Sequence, residues 1–599
     1  MIPITRIFDL LDLYRTRYSY KQDAFGFKSK NIWNTYSAKE YLEQTDLFCK
    51  GLLKLGVKKG DMIATIVGNC PAWNIIDMAL MQIGAIQVPI YPNISKPNYS
   101  YIFKETQVKY IFVQNNEIYD RVKLIAKDFE SIREIYSIEK TFAVKNWQEI
   151  LNLGYKYKGD KLSSFKQKIK ADDIATIIYT SGTTGKPKGV MLSHKNFISN
   201  FLTCAKIPDL NSNDRALSFL PLCHVYERML NYLYQYLGVS IYYSENLQNI
   251  SKDIRAIKPQ VFCTVPRVLE KIYAKIYQKG LSLPLLNKSI FFWAINLAEQ
   301  FKIENKNSWW YQLKFQLADF LVFRKWRKAF GGKLKVIVSG GASLQIRLSR
   351  IFWAAGIHIL EGYGLTETSP VIAVQTFEKD GFKFGTVGKA IADSEIKIAE
   401  DGEILSKGPN LMKGYFNHPK LTSQVIDQRG WFHTGDIGEL DEGGFLTITD
   451  RKKEIFKTSG GKYVAPQVIE SKLKSSPFIE YVMITGENQK CPAAVILPDF
   501  NFLQSWCLKK RIPFSSVHAA IENPQVWERF KKEINELNCG LDKVQQVKRF
   551  ALIADEWSTE SGELSPTLKL RRKFIAGKYR ELINLIYRDT EDRNLPICK

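Results

Sequence analysis

Short apolar runs alternate with stretches of helical spacing over most of this chain. Met62-Ile-Ala-Thr-Ile-Val67 is a continuous apolar run of strand length and predicts a buried strand. Trp73 to Ile83 carries helical spacing, and Ala85-Ile-Gln-Val-Pro89 predicts the next strand. Tyr110–Val113, Gln260–Thr264 and Leu334–Val338 are further β-rich runs bounded by breakers. Strand–helix alternation of this kind predicts an α/β fold with much parallel sheet. No internal repeat period is present.

Three segments depart from that rhythm. Residues 281–330 have helical spacing and are rich in aromatic and basic residues, including Trp309-Trp310-Tyr311 and the run Phe320 to Phe330. Such a stretch fits a membrane surface, but a helical insertion with core aromatics is the plainer reading and is preferred. Residues 380–450 are dense in Gly, Asp and short β-runs and read as a small β subdomain. From 451 onward strand and helix patterns return, ending in a Lys-rich tail. The expected organisation is therefore a large N-terminal domain of layered α/β subdomains with a small β subdomain, residues 1–450, followed by a small α+β C-terminal domain, residues 451–599.

Composition narrows the classes. The chain has 599 residues, 45% hydrophobic and 24% charged, which excludes wholesale disorder. Lys and Arg number 85 against 61 Asp and Glu, a net charge of +24. That excess suits an anionic partner such as nucleotide, nucleic acid or lipid headgroups, or equally a compositional Lys bias. Basic residues spread over the whole chain, with no zinc or helix-turn-helix pattern, so nucleic acid is not expected. Nine cysteines lie far apart with no CxxC pair, arguing for a reducing compartment and against a disulfide framework or zinc cluster. The N-terminus meets charge too early for a signal peptide. Asp61, Pro71 and Asp77 interrupt one apolar region, Pro284 and Lys288 another, and a span needs roughly 20 apolar residues. A cytoplasmic protein is expected, with peripheral contact on the inner face of a membrane left open.

The strongest local signal is Ile177 to Met191, where a β-rich run enters Thr180, Ser181, Gly182, Thr183, Thr184, Gly185 and Lys186. Glycines expose backbone N–H groups, hydroxyls donate, and Lys186 and Lys188 add charge, a set suited to polyphosphate. It is not a Walker A loop, because Thr180 stands where the first Gly belongs and Pro187 follows Lys186. A second string, Glu361-Gly362-Tyr363-Gly364-Leu-Thr366-Glu367-Thr368, places an aromatic ring, a hydroxyl and a carboxylate close together, which suits a nucleotide–metal complex.

At these strings the chain resembles the AMP-forming acyl-CoA synthetases, within the adenylate-forming enzymes. The remaining signatures follow in order over roughly residues 20–590: Gly340-Gly341-Ala342, Trp431 to Asp436, Asp450 to Lys457, Ser459 to Pro466 and Glu563 to Arg571. The resemblance implies ATP, Mg²⁺ and coenzyme A. It places Tyr363 on adenine beside Gly340, Gly341 and Ala342, Thr366 at the α-phosphate, Glu367 and Thr184 on the metal, and Asp436 on the ribose. It further implies that Arg451 reaches ribose or phosphate, that Lys453 marks a hinge within the string ending at Lys457, and that the Gly460-Gly461 loop swings in for thioester formation. The catalytic lysine falls at Lys569, where Leu568 replaces the Gly found in many members, a departure shared by long-chain members. Ser218 to Arg228 resembles the gate of the long-chain group and puts His224, one of six histidines, beside the acyl carboxylate. The implied reaction converts a long-chain fatty acid to acyl-AMP and then acyl-CoA, in a monomer or homodimer with a mobile C-terminal domain. Acyl carrier protein as acceptor, or another carboxylic acid as substrate, are the alternatives.

Overall fold

The strand expected at 62–67 forms at Met62–Ile66 and pairs in parallel with Ile86–Pro89 on one side and Tyr110–Val113 on the other. These coordinates are a computed structural model and describe residues 3–181, 186–303, 309–565 and 569–588. Two compact units divide the chain. One comprises Met1–Lys397, Leu405–Thr434 and Asp441–Leu446; the other comprises Ile398–Ile404, Gly435–Leu440 and Thr447–Lys599.

The first unit holds two large sheets. The eight-stranded sheet runs Gly414–Tyr415, Pro187–Ser193, Ile174–Ser181, Ile86–Pro89, Met62–Ile66, Tyr110–Val113, Glu134–Ser137, Lys145–Asn146. Its last six strands are parallel, and its first two are antiparallel additions. The nine-stranded sheet has a parallel centre of Ile359–Gly364, Val336–Ser339, Val261–Thr264, Arg215–Ser218, Ser240–Tyr243 and Phe25–Ser29, with antiparallel strands at both edges. Tyr110–Val113, Val261–Thr264 and Ser240–Tyr243 are buried at every position. That is why they read as unbroken apolar runs, as expected for parallel strands covered on both faces.

The helix Pro71–Ile83 touches strands of both sheets, and all thirteen of its residues are buried. Pro71 supplies a helical φ where no amide donor is needed, and Gly84 ends the helix at φ 72°. Asp77 sits inside this helix and is fully buried. Arg228 of the helix Val225–Leu237 pairs with it at 2.5 Å, Tyr232 donates to its other oxygen at 2.6 Å, and Arg228 also donates to Thr176 at 2.7 Å. The buried charge is thus paired and hydrogen-bonded, and it ties two helices to the strand that leads into residues 182–185.

The four-stranded sheet Glu395–Ile398, Glu403–Lys407, Phe432–Leu440, Leu446–Arg451 supplies the small β element expected in 380–450. The two-residue strands Lys389–Ala390 and Gly414–Tyr415 extend the two large sheets at their edges. The segment 281–330 is helical as expected, through Leu285–Glu299, Trp309–Ala318, a π-helical turn Asp319–Phe323, and Arg324–Ala329. Phe291, Phe323, Trp326 and Phe330 are core, but Trp309, Trp310 and Phe320 are exposed. Among the described residues no helix is long and apolar enough to cross a membrane.

In the second unit the sheet Ile479–Thr485, Ala493–Pro498, Arg549–Leu552 carries two hydrophobic clusters, one around Val482, Ile496 and Phe530, the other around Met483, Trp557 and Ile575. Among the described residues seven cysteines are free thiols; Cys598 lies outside the described residues.

Candidate functional site

The polyphosphate-suited string lies on a hairpin. Ile174–Ser181 pairs with Pro187–Ser193, with Thr180 opposite Lys188 and Ser181 opposite Pro187. Gly182, Thr183, Thr184 and Gly185 lie outside the described residues. Near the loop end of the hairpin, where Tyr179 pairs with Gly189, the buried Tyr179 hydroxyl donates to Glu105. The same carboxylate meets His418 Nε2 at 2.7 Å and the Tyr101 hydroxyl at 3.1 Å. Lys186 is exposed, its Nζ 6.0 Å from the Tyr101 ring, while Lys188 Nζ lies 5.0 Å from the ring of Tyr415.

Tyr415 joins this hairpin to the second string. Its hydroxyl donates to Glu367 Oε1 at 2.9 Å, and Met412 N donates to the Glu367 carbonyl at 2.8 Å. Glu367 sits on a 3-10 turn, Thr366–Thr368, immediately after the strand Ile359–Gly364. Burial, then the neighbouring Glu367 charge, pushes the Tyr415 hydroxyl far above its usual range, so it stays a donor. Gly364 admits no side chain: a Cβ there would lie 1.8 Å from the Pro370 carbonyl. Tyr363 is half-buried, opposite Ala373 at a bulge.

Glu361 proves to be a tie between elements. Its Oε2 accepts from Leu344 N at 3.2 Å, and its backbone exchanges hydrogen bonds with Gln375. Burial pushes its carboxyl up to about 8. This anchors the turn Gly340-Gly341-Ala342 beside the strand that carries Tyr363. The gate segment reaches the same turn: the Tyr226 hydroxyl donates to Val338 O at 3.2 Å, and its ring is 3.2 Å from where a Gly340 Cβ would stand. His224 caps the helix Val225–Leu237, its Nδ1 accepting from Tyr226 N at 3.3 Å. An accepting Nδ1 leaves the proton of a neutral ring on Nε2.

In the second unit, Asp436 is buried and Arg451 Nε lies 3.1 Å from its Oδ1. Lys569 is held by its backbone, its N donating to Ser565 Oγ at 3.1 Å and its O accepting from Ser565 N at 2.8 Å. Its side chain keeps solvent access, yet crowding by protein atoms, then the Arg451 cation, holds the ammonium down to about 8 against the pull of Asp436 and Glu454. Arg572 braces this cluster, pairing with Glu454 at 2.8 Å and Glu470 at 2.5 Å. Lys453 and Lys457 are exposed. Gly460 and Gly461 form the exposed turn of the hairpin Phe456–Lys457/Tyr463–Val464, with Gly461 at φ 76°. Among the described residues no three His, Cys, Asp or Glu side chains converge as a metal-binding group.

Tyr415, Glu105 and His418 escape a reading of the sequence. The string Gly414 to Pro419 looks like an ordinary turn, and Tyr415 gains meaning only because it pairs with Val190, next to the polyphosphate string.

An open α/β fold with nucleotide-suited loops at its strand ends is thus in place, and comparison with known proteins agrees. Residues 16–416 match the AMP-binding enzyme family, and 453–591 match the AMP-binding enzyme C-terminal domain. The chain belongs to the AMP-binding enzyme family. It is 31% identical over 565 residues to the long-chain-fatty-acid–CoA ligase FadD15 of Mycobacterium bovis, covering 93% of each chain. It is 29% identical to the peroxisomal long chain acyl-CoA synthetase 7 of Arabidopsis thaliana, covering 94% of this chain and 82% of that protein. Among solved structures, the anthranilate CoA ligase AuaEII in complex with anthranoyl-AMP shares the fold with a TM-score of 0.73 at 17% identity, covering 97% and 98% of the two chains.

Proposed function

We infer that this chain is an AMP-forming long-chain fatty acid–CoA ligase. A fatty acid carboxylate oxygen attacks the α-phosphorus of ATP, the bond to the β-phosphate bridge breaks, and pyrophosphate leaves. The coenzyme A sulfur then attacks the acyl carbon, gives up its proton, and AMP leaves with the bonding pair. The observation that carries this reading is the convergence of Lys188 and Glu367, nearly 180 residues apart, on Tyr415. A cation and a carboxylate held around one buried phenol suit a triphosphate with its metal. The relatives named above, matched over most of their length, support the substrate class.

Glu367 fits Mg²⁺, which takes one or two protein carboxylates and completes its shell from phosphate and water; Thr184 is its proposed companion. When bound, the ion neutralises phosphate charge. The chain's own residues position the reactants. Tyr363 and Gly340 to Ala342 hold adenine, Thr366 meets the α-phosphate, Asp436 and Arg451 hold the ribose, and Thr180 to Lys186 with Lys569 neutralise charge. His224 offers its Nε2–H to the acyl carboxylate. A C-terminal domain beginning at 451 turns about Lys453, exchanging Lys569 for the Gly460-Gly461 loop between the half-reactions. We place the protein in the cytoplasm, as a monomer or homodimer, against the membrane that holds its substrate.

A panel of C2 to C20 acids in a coupled AMP assay, with coenzyme A present or omitted, tests this. Burial of about 0.8 kcal/mol per methylene makes palmitate the far better substrate than acetate, with AMP and thioester formed in step when coenzyme A is present. Better turnover of acetate or an aromatic acid, or pyrophosphate release without thioester, overturns it.

A further inference from the structure

The helix Trp309–Ala318 is apolar on both sides, but the protein covers only one. Inward, the Tyr311 hydroxyl donates to Leu297 O at 2.9 Å, Phe315 stacks on Phe301 and Tyr311, and Ala318 and Val322 are buried. Outward, Trp309, Trp310, Leu313, Leu317 and Phe320 are each 53–65% exposed. Their spacing places them along one stripe of the helix and the π-helical turn that follows. Single exposed apolar residues need no explanation, but five on one face form a patch. Exposed Gln312, Lys314 and Gln316 separate this outer stripe from the inner face, so the helix carries a second apolar face that the protein leaves uncovered.

Charge decides the occupant. Between 309 and 333 the chain has six basic residues and one acid, Asp319. Asp319 is consumed by Arg327, which grips it at 2.5 and 2.8 Å. Lys314, Arg324, Lys325 and Lys328 are exposed beside the apolar stripe. A second copy presenting this face would set these cations against their equals. A bilayer with anionic headgroups accepts both features, the rings at the interface and the cations at the phosphates.

We propose that the outer face of the helix Trp309–Ala318, continued through Arg324–Ala329, is a docking surface for anionic lipid bilayers. This gives the membrane contact inferred above a location. It rests on that reading only for the benefit of contact, so vesicle binding can fail while acyl-CoA formation stands. The test uses the full chain and co-sedimentation with phosphatidylcholine vesicles, plain or containing about one-third phosphatidylglycerol. Two variants accompany the wild type: an apolar one (Trp309→Gln, Trp310→Gln, Leu313→Gln, Leu317→Gln, Phe320→Gln) and a charge one (Lys314→Gln, Arg324→Gln, Lys325→Gln, Lys328→Gln). All these side chains are exposed, and unchanged ATP–pyrophosphate exchange checks that each variant is folded. The expected result is wild-type binding to phosphatidylglycerol vesicles that weakens with salt, and an affinity at least tenfold lower in either variant. Three results overturn the proposal: no wild-type binding at low salt, variants that bind like wild type, or a wild-type dimer without vesicles that the apolar variant abolishes.

Discussion

At the scale of the residue, Lys569 links environment to rate. Its ammonium is held down to about 8, so it is a cation below that pH and increasingly neutral above it. Only the cation neutralises developing phosphate charge. The kcat/KM for ATP in adenylation, which reports the free enzyme, should therefore fall as pH rises through about 8. Lys569→Arg keeps its charge at any working pH and should move that limb upward; an unmoved limb in a pH profile of pyrophosphate exchange would exonerate the lysine. Tyr415 is the second case. Tyr415→Phe keeps the ring beside Lys188 and removes only the donor to Glu367. A hydrogen bond to a charged group contributes about 1.5–3 kcal/mol, so a Mg²⁺ titration should show roughly a tenfold higher requirement. A titration curve superimposable on wild type sinks this role. Glu367→Ala should cost on the order of 10²–10⁴ in exchange rate, and a rate within tenfold of wild type would remove Glu367 from the metal.

At the scale of the element, the Asp77–Arg228 pair is where helix and strand meet. Residues 73–83 and 218–228 each look self-sufficient in sequence, one a stretch of helical spacing, the other a gate. Their joint meaning is a fully buried ion pair that also holds Thr176 on the strand leading to 182–185. Asp77→Asn leaves Arg228 buried without its counter-charge, which should lower stability by about 3–5 kcal/mol, while Asp77→Leu combined with Arg228→Met should recover most of that loss. Urea unfolding checks this, and a single variant as stable as wild type would show that the pair is dispensable. Element boundaries were mostly legible: the strands at 62, 110 and 261 fall within a residue of their apolar runs, because fully covered parallel strands have no polar face to blur them. The capping role of His224 was not legible, since only the turn before Val225 brings its ring to Tyr226 N.

At the scale of the whole molecule, one set of residues is asked to serve two reactions. If the unit carrying Lys569 and the Gly460-Gly461 turn moves between them, the two halves separate genetically. Lys569→Ala should cripple adenylate formation and spare thioester formation from supplied acyl-adenylate. Gly461→Val, which forces a branched residue to φ 76°, should do the reverse. Equal damage to both halves by both variants, measured by pyrophosphate exchange and thioester release, would argue against such motion. Sequence alone determined the α/β class, the order of the nucleotide strings and the basic aromatic character of 309–330. Each of these is carried by residues close in the chain, where periodicity and local chemistry suffice. Only the tertiary structure decided that Tyr415 joins Lys188 to Glu367, that Glu105 gathers Tyr179 and His418, and that Phe323 is core while Phe320 faces solvent. Those outcomes depend on sheet register and on which side of a helix finds a neighbour, and both are settled by contacts between segments far apart in sequence.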